Sequence, residues 1–179
     1  MQLQSLAVFA VVWLVSWQID VPRFNIHGLW PAREYCDNAS TLNTTALEPL
    51  MPWLHQFWST NTTFLEHEWQ KHGTCYGDAD SADADALQAH AQYGYFDKAL
   101  KLYFAIDPTP RLLDANVLPS DTVNYSLCDI EKAVSAQLPH TVVATPICIG
   151  NELSQIQYAT AQATGCTNCP DYDIAFKAA

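Results

Sequence analysis

The sequence predicts one α+β domain. Helical periodicities are mixed along the chain with separated strand-like runs, and no internal repeat or interdomain linker divides it. The 179 residues, 49% of them hydrophobic, suffice for one well-filled core and are too few for two comfortable ones.

Taken in order, the first element is an apolar run from Leu6 to Val15, bounded by Gln4, Ser5 and Ser16. It has the length of a signal-peptide core and is too short to span a bilayer. No Lys or Arg precedes it and no clear small-x-small site follows it, so a buried strand rich in Val and aromatics is the competing reading. The expected division is a signal peptide over residues 1–18 and a single domain over 19–179. Phe24 to Pro31 alternates like a strand and ends in Gly and Trp-Pro, which sets His27 at a strand end beside Trp30. Thr41 to Trp58 carries Leu47, Leu50, Met51, Leu54 and Phe57 at three- and four-residue intervals, an amphipathic helical region interrupted by Pro49 and Pro52. Phe64 to His72 reads as a helix ended by Gly73 at the C-cap position. Gly77 to Ala86 is an acidic surface loop that lacks the central glycine and closing glutamate of a calcium loop. Tyr93 to Phe104 and Asp129 to Leu138 are further helices, and Thr141 to Ile149 and Ser154 to Ala159 are strands.

Nineteen acidic residues against eight basic ones give a formal charge of −11. That is the wrong sign for a protein that holds nucleic acid by neutralising many phosphates, so a stoichiometric nucleic-acid-binding module is disfavoured. An enzyme needs only a local positive site, and lower pH would both protonate its histidines and reduce the overall repulsion of phosphate. Cys36, Cys75, Cys128, Cys148, Cys166 and Cys169 form an even set that suits three disulfides in an oxidising compartment, with the connectivity open. Cys166-Thr-Asn-Cys169 lacks the second pair that a zinc site needs. Asn-x-Ser/Thr sequons at Asn38, Asn43, Asn61 and Asn124 are candidate glycosylation sites and independently favour secretion.

The chemistry concentrates in two segments. Alone, His27 reads as an ordinary structural histidine. In His67-Glu68-Trp69-Gln70-Lys71-His72-Gly73-Thr74-Cys75, helical spacing puts Glu68, Lys71 and His72 on one face with His67 flanking Lys71. By itself such a face is usually a surface salt-bridge helix. Zinc is rejected, because Lys71 stands where the second histidine of a His-Glu-x-x-His motif belongs. His67 and His72 lie roughly 140° apart around a helix and cannot clasp one ion from a single face.

Together the segments are more specific. Phe-x-Ile-His-Gly-Leu-Trp-Pro followed about forty residues later by His-Glu-Trp-x-Lys-His-Gly-Thr-Cys resembles the two active-site motifs of the ribonuclease T2 family, the acid ribonucleases of fungi, plants and animals. Leu153-Ser154-Gln155-Ile156 and Cys169-Pro170 look, more weakly, like the family's late strand and terminal cysteine, so the likeness runs from Phe24 to Pro170. It implies a central, mainly antiparallel sheet packed with helices and stabilised by disulfides. The implied activity is endoribonucleolytic cleavage of single-stranded RNA through a 2′,3′-cyclic phosphate, with low base specificity, no metal and no organic cofactor. By the same resemblance His72 is the general base, His27 the general acid, and Lys71 and protonated His67 stabilise the phosphoryl charge while Glu68 orients and tunes them. Trp30 and Phe64 offer faces on which bases stack. Cys36 with Cys75 would tie the two segments together, the later cysteines, Cys148 and Cys169 among them, would pair among themselves, and Cys128 has no obvious partner. The protein is expected to be a secreted or lysosomal or vacuolar monomer with no stable membrane association.

Three departures from the family pattern stand out. The family's segment with a cysteine, a core strand and a Trp-Pro ahead of the first motif is missing, since about nine residues separate the apolar run from Ile26. Removing residues 1–18 would take a strand from the sheet, whereas retaining them would let the run fill that place. Ala32 stands where many relatives carry a base-reading aspartate, and several framework cysteines are absent. The competing function is therefore a secreted, catalytically impaired relative that acts through binding or signalling.

Overall fold

A computed structural model describes residues 10–18, 21–37, 39–76, 84–139, 142–160 and 169–177. They form an α+β fold in which a mainly antiparallel sheet packs against helices. The strands are β1 (Ala10–Gln18), β2 (Val21–Trp30), β3 (Asn124–Tyr125), β4 (Val142–Ile149), β5 (Glu152–Thr160) and β6 (Ile174–Ala175). The helices are α1 (Met51–Phe57), α2 (Thr62–Lys71), α3 (Ala84–Ile106), α4 (Pro108–Asp114) and α5 (Leu127–Ser135). The sheet runs β2-β1-β5-β6-β3, with β4 on the other side of β5, and β5 with β6 is its parallel pair.

Residues 10–18 stand between the strand that carries His27 and the C-terminal hairpin β4-β5. Residues 1–9, the start of the apolar run among them, lie outside the described residues. In the register of β1 with β2, Val12 pairs with Gly28 and Trp13 with Ile26, so His27 is the extra residue of a bulge. A one-residue insertion resets the alternation of faces. Phe24 and Ile26 are buried before it and Leu29 after it, while Asn25, His27 and Trp30 remain half-buried.

Among the described residues β2 pairs with β1 alone, and side chains satisfy three of its carbonyls. The Tyr103 hydroxyl donates to Phe24 O at 3.2 Å, Trp58 Nε1 to His27 O at 2.9 Å, and the Tyr95 hydroxyl to Leu29 O at 3.0 Å. The tyrosines come from α3, whose buried Tyr95, Phe96, Ala99, Leu100, Tyr103 and Ile106 recur at helical spacing against the core. Trp58 closes α1.

Local sequence rules explain the helix ends and correct two expectations. Pro52 does not interrupt a helix: it occupies the first turn of α1, where no intrahelical N–H bond is lost, and residues 44–50 before it are turns. Gly73 does not cap α2 in the left-handed region. His72 is the C-cap, the chain tightens into a 3-10 turn over Gly73–Cys75, and a Cβ at Gly73 would strike the Trp69 ring. At its other end α2 is capped by the Asn61 carboxamide, which accepts from Thr63 N and Phe64 N. Helix α3 begins at Ala84, nine residues earlier than its apolar spacing suggests, and residues 77–83 of the acidic segment lie outside the described residues. The Ser126 hydroxyl caps α5, accepting from Asp129 N and donating to the Asp129 carboxylate.

Among the described residues two disulfides are present, Cys36–Cys75 and Cys148–Cys169. Cys128 is an exposed free thiol, and Cys166 lies outside the described residues. The first bond closes a 39-residue separation, for which the chain-entropy argument gives about 4 kcal/mol. The second staples the β4-β5 hairpin to the segment before β6.

Candidate active site

The two sequence segments meet where β2 faces α2. Three rings come first. The His27 imidazole lies edge-on to Trp30, with centroids 5.2 Å apart at 74°, and Trp30 stacks on His72 at 5.4 Å and 29°. Phe64, one turn into α2, stacks on His27 at 6.0 Å and 27°. The indole of Trp30 therefore touches both histidines. Trp30, expected from the resemblance to be a face for a base, has the two imidazoles as its ring partners.

Residues 65, 68 and 69 form the buried stripe of α2, and that stripe carries Glu68 into the interior with 2% of its surface exposed. Trp30 Nε1 donates to Glu68 Oε2 at 3.2 Å. A Cβ at Gly28 would strike both atoms of that bond, so only glycine lets the strand pass this close to the carboxyl. Burial raises Glu68 to about 7, with Glu34 adding to the rise and the Trp30 hydrogen bond and Lys71 opposing it. Burial likewise lowers His72 to about 4, helped by Lys71, His67 and His27. His27 is lowered by burial first and then by Lys71 and His67. A charged imidazolium is disfavoured at both positions until an anion arrives.

On both rings the buried nitrogen without a hydrogen-bond partner among the described residues is Nδ1, which leaves Nε2 as the nitrogen open to a ligand. Lys71 is half-buried beside them and His67 is exposed, so the site offers two imidazole nitrogens, the Lys71 ammonium and a third imidazole around one buried carboxyl. That set can move two protons and stabilise an anion between them. No group of His, Cys, Asp or Glu among the described residues could hold a metal ion.

Two further residues shape the site and escape sequence reasoning. Trp58 fixes the backbone of His27 through the bond to its carbonyl. Glu34 lies in an irregular loop with no periodicity to flag it; its place two residues before Cys36 becomes informative only once Cys36 is bonded to Cys75. Of the sequon asparagines, Asn43, Asn61 and Asn124 are exposed and Asn38 lies outside the described residues.

A model of the ribonuclease T2 family matches residues 14–169, a span that begins inside β1 and takes in both segments. Ribonuclease M of Aspergillus phoenicis is 32% identical over 133 residues, covering 63% of this chain and 56% of that protein. Ribonuclease T2 of Homo sapiens is 33% identical over 126 residues, covering 65% of this chain and 46% of that protein. Extracellular ribonuclease LE of Solanum lycopersicum is 33% identical over 131 residues, covering 66% and 53%. The chain thus spans about half the length of these curated relatives. Among solved structures, that of Actibind, a T2 ribonuclease, superposes with a TM-score of 0.82 at 25% identity, covering 96% of this chain and 87% of that one. RNase NT in complex with 5′-AMP superposes at 0.76 and 21% identity, covering 97% and 99%, and supports the fold.

Proposed function

The chain belongs to the ribonuclease T2 family, and from that premise we propose that it cleaves single-stranded RNA by metal-independent transesterification through a 2′,3′-cyclic phosphate, with low base specificity. The observation that carries the reading is the meeting of His27 and His72 on one indole, with Lys71 and His67 beside them.

RNA supplies its own nucleophile, so the protein must take one proton and deliver another. His72 Nε2 takes the 2′-hydroxyl proton as the oxygen attacks phosphorus. His27, as imidazolium, protonates the 5′-oxygen as its bond to phosphorus breaks. In the second step His27 takes a proton from water and His72 returns its proton to the departing 2′-oxygen. The lowered His72 suits the base role, since the ring stays unprotonated down to about pH 4. His27 is lowered as well, and the bound phosphate supplies the negative charge that restores its proton. Lys71 and protonated His67 face the phosphoryl oxygens, and Glu68, held by Trp30, orients that charge from beneath. Phe64, stacked on His27, and half-buried Trp30 are the aromatic surfaces for a base beside the acid.

We also assign the protein to an oxidising compartment outside the cytosol, in keeping with its two disulfides, its exposed sequons and a relative named extracellular. Among the described residues no helix is long and apolar enough to cross a membrane.

The test is cleavage of RNA homopolymers between about pH 4 and 8 with EDTA present, using the full chain beside His72→Ala and His27→Ala. Cyclic-phosphate products that survive EDTA and fall by about 10²- to 10⁴-fold in either variant support the assignment. A folded protein that leaves RNA intact overturns it and favours the binding or signalling relative.

A further inference from the structure

Beyond Pro31 the loop after β2 belongs to neither motif, yet it delivers a carboxylate to the site. Glu34 Oε1 lies 3.6 Å from Lys71 Nζ and 4.0 Å from His72 Nδ1. The loop is held there by three restraints: Tyr35 N donates to Lys71 O at 2.8 Å, Cys36 N donates to Thr74 Oγ1 at 3.2 Å, and Cys36 is bonded to Cys75. Between them Tyr35 takes a φ of 53°, a left-handed conformation that a residue with a Cβ adopts only when its surroundings impose it.

We propose that Glu34 is a positioning residue for His72, holding the neutral ring in the tautomer with its proton on Nδ1 and stabilising the imidazolium that forms when Nε2 takes the 2′-hydroxyl proton. The inference rests on the reading of His72 as general base. Nδ1 and Nε2 lie on opposite sides of an imidazole, so a carboxylate beside the buried Nδ1 stands behind the reacting nitrogen and leaves its approach clear. At 4.0 Å the contact is electrostatic, and it tightens as the ring becomes cationic. The other ionisable groups around His72 are Lys71, His67 and Glu68 on α2 and His27 on β2. Lys71, His67 and His27 all oppose a charge on the ring. Glu68 is engaged by Trp30, which leaves Glu34 as the carboxylate on the Nδ1 side. The proton count closes: the 2′-oxygen loses its proton to Nε2, Nδ1 keeps its own, Glu34 remains a carboxylate throughout, and Nε2 gives the proton back in the second step.

Glu34→Gln removes the charge from a half-exposed loop side chain and is expected to leave thermal stability unchanged. In that variant kcat should fall about tenfold with KM held within about twofold, the pattern of a group that acts in the transition state. NMR titration of the His72 ring should show its midpoint moving to lower pH, with the Nδ1–H tautomer less populated, and Glu34→Asp should recover part of both effects. An unchanged kcat with an unchanged His72 titration overturns the inference. So does a fall in KM with a rise in kcat/KM, which would make Glu34 a competitor for the phosphate. Should the wild-type chain leave RNA intact, the functional reading fails, and the same titration still decides whether Glu34 governs His72.

Discussion

Replacing Glu68 by Gln should change how the fold responds to pH. Glu68 is raised from 4.5 to about 7 and His72 lowered from 6.5 to about 4, both buried. A carboxyl raised in the folded state gives stability that is complete below pH 4.5 and disappears as pH rises toward 7. An imidazole lowered in the folded state gives stability that is complete above pH 6.5 and disappears as pH falls toward 4. Between those limits the unfolded chain protonates His72 and ionises Glu68, whereas the folded chain does the reverse. Each state then holds one proton on the pair, and the two slopes cancel. In Glu68→Gln the carboxyl contribution is gone and the imidazole slope stands alone, at about 1.4 kcal/mol per pH unit, or at most about 2.7 kcal/mol across the interval. Urea unfolding of both proteins at half-unit steps across that interval measures it. The stability of the variant should rise with pH more steeply than that of the wild type. Parallel curves would refute the inverted protonation of the pair.

Trp58→Phe deletes the donor to His27 O and leaves a buried carbonyl of the edge strand unpaired, which should cost about 1–3 kcal/mol in urea unfolding and lower kcat more than it raises KM; a change in KM alone would argue against a role in placing His27. Gly28→Ala pushes a methyl group into the Trp30–Glu68 bond, so about 1–3 kcal/mol of destabilisation should accompany altered tryptophan fluorescence, and a variant matching the wild type in both would mean that strand and carboxyl are not so close.

Periodic elements were legible in advance because burial is periodic. Leu65, Glu68 and Trp69 on α2, the apolar stripe of α3 and the hairpin β4-β5 all follow spacings that a single chain displays. The core of the candidate site was legible for a different reason: its residues sit in two short motifs, and the helix face that gathers Glu68, Lys71 and His72 is set by helical geometry. What was hidden depends on partners remote in sequence. An alternating pattern cannot show that His27 is a bulge, since the extra residue exists only relative to β1. Nor can it show Trp58 reaching a carbonyl 31 positions away, or Glu34 reaching α2 through a loop whose path a disulfide decides. Gly73 misled because a glycine after a helix usually signals a left-handed cap, whereas here it makes room for an indole.

The three aromatic donors along β2 also have a bearing on self-association. An exposed sheet edge invites another chain to add a strand, and proteins blunt such edges by covering them. Here the carbonyls of Phe24, His27 and Leu29 are already taken by Tyr103, Trp58 and Tyr95, so no second molecule can zip onto the strand that carries His27 without first displacing side chains from the core. The same three bonds that hold His27 in place thus also protect the fold from aggregation through this edge, and a substitution that loosens one of them puts both at risk.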